Sequence, residues 1–281
     1  MDYLGSYRFA FSSRNWAMNL LFGALCSLIP AIGPIVLMGY FFEVIEYLIR
    51  RRQPAKELDY PPEAISEQVL DALPVDSARD SASYPDFTFE RFSEYLTRGI
   101  WPFLVQLIVG LVLGVAYAFL WLVGMAILGA ASAGGSSALS LIFFGVFFVF
   151  YLVLAIALGV LTVPLYLRAG LSGDFASAFS MDFYRDFLKR IGKEVVLAQL
   201  FLTVSNPLVL GVGALLCCVG IYPALALAMF ARHHLDYQLY ELYLERGGVP
   251  IERKQTQADI SPREVEEERS TDIRRPERDE W

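Results

Sequence analysis

Charge is what this chain lacks over most of its length. Lysine and arginine are absent from Asn15 to Ile49, from Gly99 to Leu167 and from Val195 to Ala231, and the last two runs have no carboxylate either. Runs of that length leave a helix no charged face for water, which excludes an ordinary soluble domain. Cysteine is nearly absent: Cys26, Cys217 and Cys218 all sit in apolar runs, so a disulfide framework and a zinc site are both excluded in favour of small buried hydrophobes. The N-terminus lacks the basic region, short apolar core and small-residue cleavage site of a removable signal. There is no phosphate-binding glycine loop, no His-Glu-x-x-His and no Gly-x-Ser-x-Gly elbow. An enzyme therefore has no support in the residues, and no cofactor or catalytic residue is assigned. A net charge of -7 and no basic face with interleaved aromatics argue against nucleic acid.

What is present is apolar. Of 281 residues 56% are hydrophobic and the mean hydropathy is +0.45, which predicts an all-α, polytopic helical membrane protein. Residues 1–14 mix tyrosine and phenylalanine with Arg8 and Arg14, a composition suited to the headgroup layer. Residues 15–50 are broken by Pro30, Gly33 and Pro34; one straight helix over that stretch would measure about 52 Å against a hydrocarbon core of roughly 30 Å. Residues 51–98 form a polar loop whose end, with Phe89, Phe92, Tyr95 and Leu96 at helical spacing, predicts an interfacial helix. Residues 99–168 read as a central hairpin interrupted by the Gly/Ser cluster at 131–137. Residues 169–194 repeat the interfacial pattern, with Phe175, Phe179, Phe183 and Phe187 every fourth residue. Residues 195–246 hold another broken apolar stretch, whose break is expected at Ser205-Asn206-Pro207, followed by an amphipathic exit helix. Residues 247–281 are densely charged with both signs mixed, the composition of a disordered tail.

Charge then chooses the topology. If each broken stretch crossed once, four spans would divide the 23 basic residues almost evenly between the two sides. If each is a hairpin, about six helices form three hairpins and every basic residue faces one side. The positive-inside rule selects the second arrangement, with both termini cytoplasmic in the inner membrane of a prokaryote. Lys193 and Glu194 leave the fifth helix short if the break falls at Ser205. The two broken stretches also share Gly-Ala-Leu, at Gly23 and Gly213, with a cysteine soon after; a duplication and convergent membrane composition both account for it.

Polar residues inside the spans are the candidates for chemistry. Glu43 and Glu46 share one helix face, and Glu46 can pair with Arg50 one turn on. With Gln106, Gln199 and Asn206 they form a candidate polar pathway, against the plainer reading of ion pairs and interhelical hydrogen bonds, to which Thr203 also belongs. Gly110, Gly114 and Ala118 on one helix, with Ala155 and Gly159 on the next, are candidates for close helix packing. His233 and His234 adjoin Asp236 but point to different faces, so headgroup contact is expected rather than a metal.

The order of several short motifs resembles the family called domain of unknown function 4013. They are Pro-Ala-Ile-Gly-Pro followed by Gly39-Tyr40, then Tyr84-Pro85-Asp86-Phe87 with Phe92 and Gly99, then Ala178-Phe179, then Cys217-Cys218-Val219-Gly220-Ile221. The resemblance covers roughly residues 9–248, with an apparent insertion between Arg52 and Tyr84 and a charged C-terminal extension. It implies a multi-pass membrane protein and no catalytic residues to carry over. Two functions stay open: a non-catalytic scaffold or accessory subunit, and a small-molecule or ion transporter or channel component. Expected partners are the lipid bilayer and a membrane protein or a second copy.

Overall fold

The computed structural model describes residues 1–52, 84–133, 137–216 and 219–252. Most of the polar loop, nearly all of the charged tail, and Cys217 and Cys218 lie outside the described residues. Regular structure among those described is all helical: α1 (Tyr3–Phe9), α2 (Trp16–Ser27), α3 (Ile32–Arg52), a 3-10 turn (Phe89–Arg91), α4 (Phe92–Ala133), α5 (Ser137–Ser172), α6 (Phe175–Ala178), α7 (Met181–Leu215) and α8 (Ile221–Glu245).

The chain reverses within α2/α3, α4/α5 and α7/α8. At the first reversal Ala31 takes a left-handed backbone (φ 63), which costs a residue with a Cβ roughly 1–2 kcal/mol. The turn is held because the Gly33 N–H donates to Ile29 O (3.1 Å) and Gly33 lies against the Cys26 carbonyl with no room for a side chain. The antiparallel course of α4 and α5 shows in the ring pairs Tyr117–Tyr151 (5.0 Å) and Trp121–Phe147 (5.9 Å).

Among the described residues four stretches are long and apolar enough to cross a membrane: Ile32–Arg50, Phe89–Ala130, Leu141–Ser172 and Met181–Leu215. With 12 residues, α2 reaches only about 18 Å at 1.5 Å per residue. Of the interfacial helix expected from Asp86 to Arg98, residues 86–91 are a non-helical segment and the 3-10 turn, and Phe92 onward forms the first turns of α4, where Tyr95 is fully buried between Tyr40 and Phe87 (5.7 and 5.2 Å). In the same way Phe183 and Phe187 lie on α7 itself and pack against Tyr243 at 5.6 and 5.1 Å.

The expected break at Ser205-Asn206-Pro207 is not there. Helix α7 bends at Ile191 and continues through Pro207 to Leu215; the turn falls between Leu216 and Gly220. Ser205 and Asn206 face α1, where the Tyr7 hydroxyl lies 2.9 Å from Ser205 Oγ and 3.0 Å from Asn206 Oδ1. Their side chains therefore do not compete for the helix backbone, and a proline in a packed apolar helix is tolerated. The later turn also lengthens the fifth helix: from Val195 to Leu215 it measures about 30 Å.

Helix α3 is the wall between two cores. One face, with Met38, Phe42 and Ile45, meets Tyr166, Phe187 and Tyr240; the other, with Leu37, Tyr40 and Phe41, meets Phe87, Tyr95 and Phe230. Its apolar window is 56% buried, against 6% for α4 and 0% for α5. The outer halves of α4 and α5 touch chiefly each other and expose large apolar side chains such as Leu111 (67%) and Leu141 (73%), as lipid-facing helices do. Helix α3 also meets α4 backbone to backbone. A Cβ on Gly39 would overlap the Tyr95 carbonyl oxygen, and one on Gly99 would overlap that of Ile35.

Backbone atoms cannot move aside as a side-chain tip can, so Gly39→Ala and Gly99→Ala should each destabilise the detergent-solubilised protein by about 1–3 kcal/mol or more. Gly110→Ala, where an added Cβ meets nothing within 4 Å, should leave the unfolding midpoint unchanged. Equal midpoints for all three variants in a thermal melt would refute the contact.

Candidate functional site

Asp86 organises the polar end of the first hairpin. It sits in the extended segment that runs into the 3-10 turn, and accepts hydrogen bonds from Ser13 Oγ (2.9 Å), Asn15 Nδ2 (2.6 Å) and Asn19 Nδ2 (2.9 Å). Asn19 is buried, and its other amide atom accepts the Phe87 N–H (3.0 Å). Either side, the Tyr84 hydroxyl donates to Ala10 O (2.6 Å) and the Tyr40 hydroxyl to Pro85 O (2.9 Å). The Tyr-Pro-Asp-Phe segment is thus pinned to α2, to α3 and to the link after α1 by side chains that satisfy one another. Partial burial pushes the Asp86 carboxyl up, but the hydrogen bonds from Asn19, Asn15 and Ser13 outweigh it and hold it below its ordinary value. Burial pushes the Tyr84 phenol up to about 12, so it stays a donor.

The five candidate pathway residues do not meet in one cavity. Glu43 pairs with Arg91, and Glu46 with both Arg98 and Arg50; these are ion pairs where the end of α3 meets the start of α4. Arg98 also donates to Phe42 O (3.1 Å). Asn206 faces Tyr7 as described. Gln199 is buried between α5 and α7, where its side chain fills the space beside Gly159, and its amide nitrogen has no hydrogen-bond partner. Thr203 bonds back to the Gln199 carbonyl (2.6 Å). Gln106 lines a groove of about 350 Å³ between α4 and α5, with Gly110, Gly114, Gly159, Thr162 and Arg232. Of the residues expected in close helix packing, Gly110 and Gly114 border this open space, Ala118 is exposed and Ala155 half-buried, and Gly159 packs on Gln199.

Residues 68–218 match a family described as "Protein of unknown function (DUF4013)". The chain belongs to that family. No curated protein and no solved structure matches it. Within this DUF4013 chain the matched stretch holds Asp86, Arg91, Arg98 and the helices α4 to α7. It excludes Asn19, Tyr40, Glu43 and Glu46. Every contact of the Tyr-Pro-Asp-Phe segment named above therefore joins the matched stretch to helices before it.

The histidines are not at the headgroups. His233 is buried, stacks on Phe41 at 4.2 Å, lies 2.7 Å from Met229 O through Nδ1 and meets the Tyr166 hydroxyl through Nε2. His234 stacks on Phe9 at 4.2 Å and approaches Ser6 Oγ (3.1 Å). Both are covered because α1 and α3 close over α8. Asp236 is buried as well, and neither carboxylate oxygen has a hydrogen-bond partner. Among the described residues no three His, Cys, Asp or Glu gather as a metal would require. Sequence reasoning missed the Asp86 cluster, although the asparagines at 15 and 19 stand one turn apart on one face of α2. It also missed Arg232, a single cation closing an apolar run.

Asp86→Ala would strand the buried Asn19 amide and should cost about 1–3 kcal/mol. Because the native carboxyl titrates below the unfolded value near 3.9, its contribution is full above that value and is lost as pH falls through the depressed native one. Melts of wild type and Asp86→Ala should therefore differ at pH 7 and converge at low pH; a difference that persists undiminished would contradict the assignment.

Proposed function

We propose that this protein is a non-catalytic scaffold or accessory subunit of a prokaryotic cytoplasmic membrane, with both termini in the cytoplasm, acting through its charged end. The reading is carried by one observation: the candidate polar residues lie apart from one another, and the carboxylates among them pair locally. Glu43 and Glu46 are neutralised by Arg91, Arg98 and Arg50, and Asn206 is met by Tyr7. A conduction path needs such groups lined up toward one opening, whereas ion pairs that staple α3 to α4 build a fixed platform. Supporting the orientation, the connections at residues 28–31 and 216–220 carry no basic residue.

Two measurements test this. Single cysteines at Arg14 and Val249, with the native cysteines replaced, should react with an impermeant maleimide only when the cytoplasmic face is opened. Proteoliposomes should show no ion or small-solute flux above empty vesicles. Flux that disappears in Gln106→Leu or Gln199→Leu would replace the scaffold reading with transport.

A further inference from the structure

Two polar side chains of the groove between α4 and α5 make no hydrogen bond inside the protein. Gln106 and Arg232 both line it, and among the described residues neither makes a hydrogen bond or a close ion pair. Asp236 stands one turn along α8 from Arg232 and interacts with it electrostatically, but its buried oxygens accept no hydrogen bond from the guanidinium, whose donors are left for another acceptor. Beyond Gln106 the groove is apolar and open: it continues past Val109 and Leu113 to Tyr117, about 16 Å further along α4. A Cβ on Gly110 or Gly114 would meet nothing within 4 Å. The Thr162 hydroxyl is already committed to Leu158 O (2.6 Å), so it adds no free donor.

Position narrows the occupant. On α4 the charged Arg98 precedes Gln106 by two turns, and on α5 Arg168 follows Thr162 by less than two, so the arginine end of the groove adjoins the headgroup layer and the glycine end runs toward the bilayer interior. An arginine there with no hydrogen bond to the protein can hold an anion, and basic pockets between membrane helices supply the site for lipid phosphates. The volume of about 350 Å³ takes only part of a phospholipid, and the open side of the groove leaves the rest of the lipid in the bilayer.

We propose that this groove is a binding site for one anionic phospholipid, its phosphate held by Arg232 and Gln106 and one acyl chain laid along Gly110 and Gly114. The guanidinium offers two parallel N–H donors to phosphate oxygens and the Gln106 amide a third. Gly110 and Gly114, which leave the groove open, give the chain its channel. This site is independent of the scaffold reading: it holds whether or not the protein conducts solute.

The test uses the full-length protein in detergent, titrated with phosphatidylglycerol or phosphatidylcholine and read by native mass spectrometry. One phosphatidylglycerol should be retained in preference to phosphatidylcholine. Arg232→Gln should weaken phosphatidylglycerol by about tenfold and leave phosphatidylcholine unchanged, and Arg232→Lys should recover part of the loss. Gly114→Phe projects into open space and so should fold normally, yet it should block both lipids; a monodisperse profile and an unchanged melt confirm that it is folded. Equal retention of the two lipids, undiminished binding by folded Gly114→Phe and Arg232→Gln, or a second copy of the chain protecting the groove instead of lipid would each overturn the proposal.

Discussion

The approach of α3 to α4 at Gly39 and Gly99 is the constraint on which the rest depends. Two helices this close have no side chains at the crossing, so the residues one turn on either side are forced into register. Toward the charged end this brings Glu43 beside Arg91 and Glu46 beside Arg98. Around the same crossing it places Tyr95 between Tyr40 and Phe87. The ion pairs are a consequence of the crossing more than its cause. They are partly exposed to solvent, and such pairs contribute little net stability, whereas burial of the surrounding rings is worth about 1.5–3 kcal/mol for each large side chain.

Asp86 solves a problem that the crossing creates. For α4 to start beside α3, the chain entering it must pass close to α2, and extended backbone there needs partners for its polar groups. Asn19 supplies an acceptor to the Phe87 N–H and a donor to Asp86, while Tyr40 covers the Pro85 carbonyl. Proline at 85 removes one donor that would otherwise need satisfying. The order Tyr-Pro-Asp-Phe therefore follows from geometry: an aromatic ring on each side enters the core, and the acid between them turns toward the asparagines.

That the chain reverses three times is legible in the sequence because the apolar connections carry no charge; proline marks the position of the first reversal alone. The Arg50–Glu46 pair is legible because helix spacing brings the two together. Two kinds of feature are not. Pro207 carries the local signature of a break, yet α7 runs through it, since Tyr7 engages Ser205 and Asn206 from a helix nearly 200 residues away in sequence; no local window contains that partner. Glycine spacing likewise says where helices can come close and not which ones do. Gly110 and Gly114 have the spacing of a packing face and border open space, while Gly39 and Gly99, isolated in sequence, bring two backbones together. The repeated Gly-Ala-Leu has a plain packing role: Gly23 lies against Ala226 and Gly213 against Ala224, so each motif lets its helix settle on α8, from different sides of it.

Those contacts make α8 the element on which the three hairpins converge, and its polar residues divide accordingly. Successive helix positions turn by about 100°, so Arg232, His233 and His234 are sent in different directions, while Asp236, four residues on, returns to the side of Arg232. Arg232 lines the groove between α4 and α5, His233 reaches Phe41 and Tyr166 of α3 and α5, and His234 reaches Phe9 and Ser6 of α1. A helix that served only to pack would fill these positions with alanine, as α8 does at 224, 226 and 228. Two of the four have protein partners that explain them. The other two, an arginine facing a groove and a buried carboxylate, interact electrostatically one turn apart, yet the carboxylate has no hydrogen-bond donor and the arginine none of its hydrogen bonds made within the described residues. Polarity without hydrogen-bond partners is costly and is where function is most economically sought, and here it lies on one turn of one helix, beside the groove.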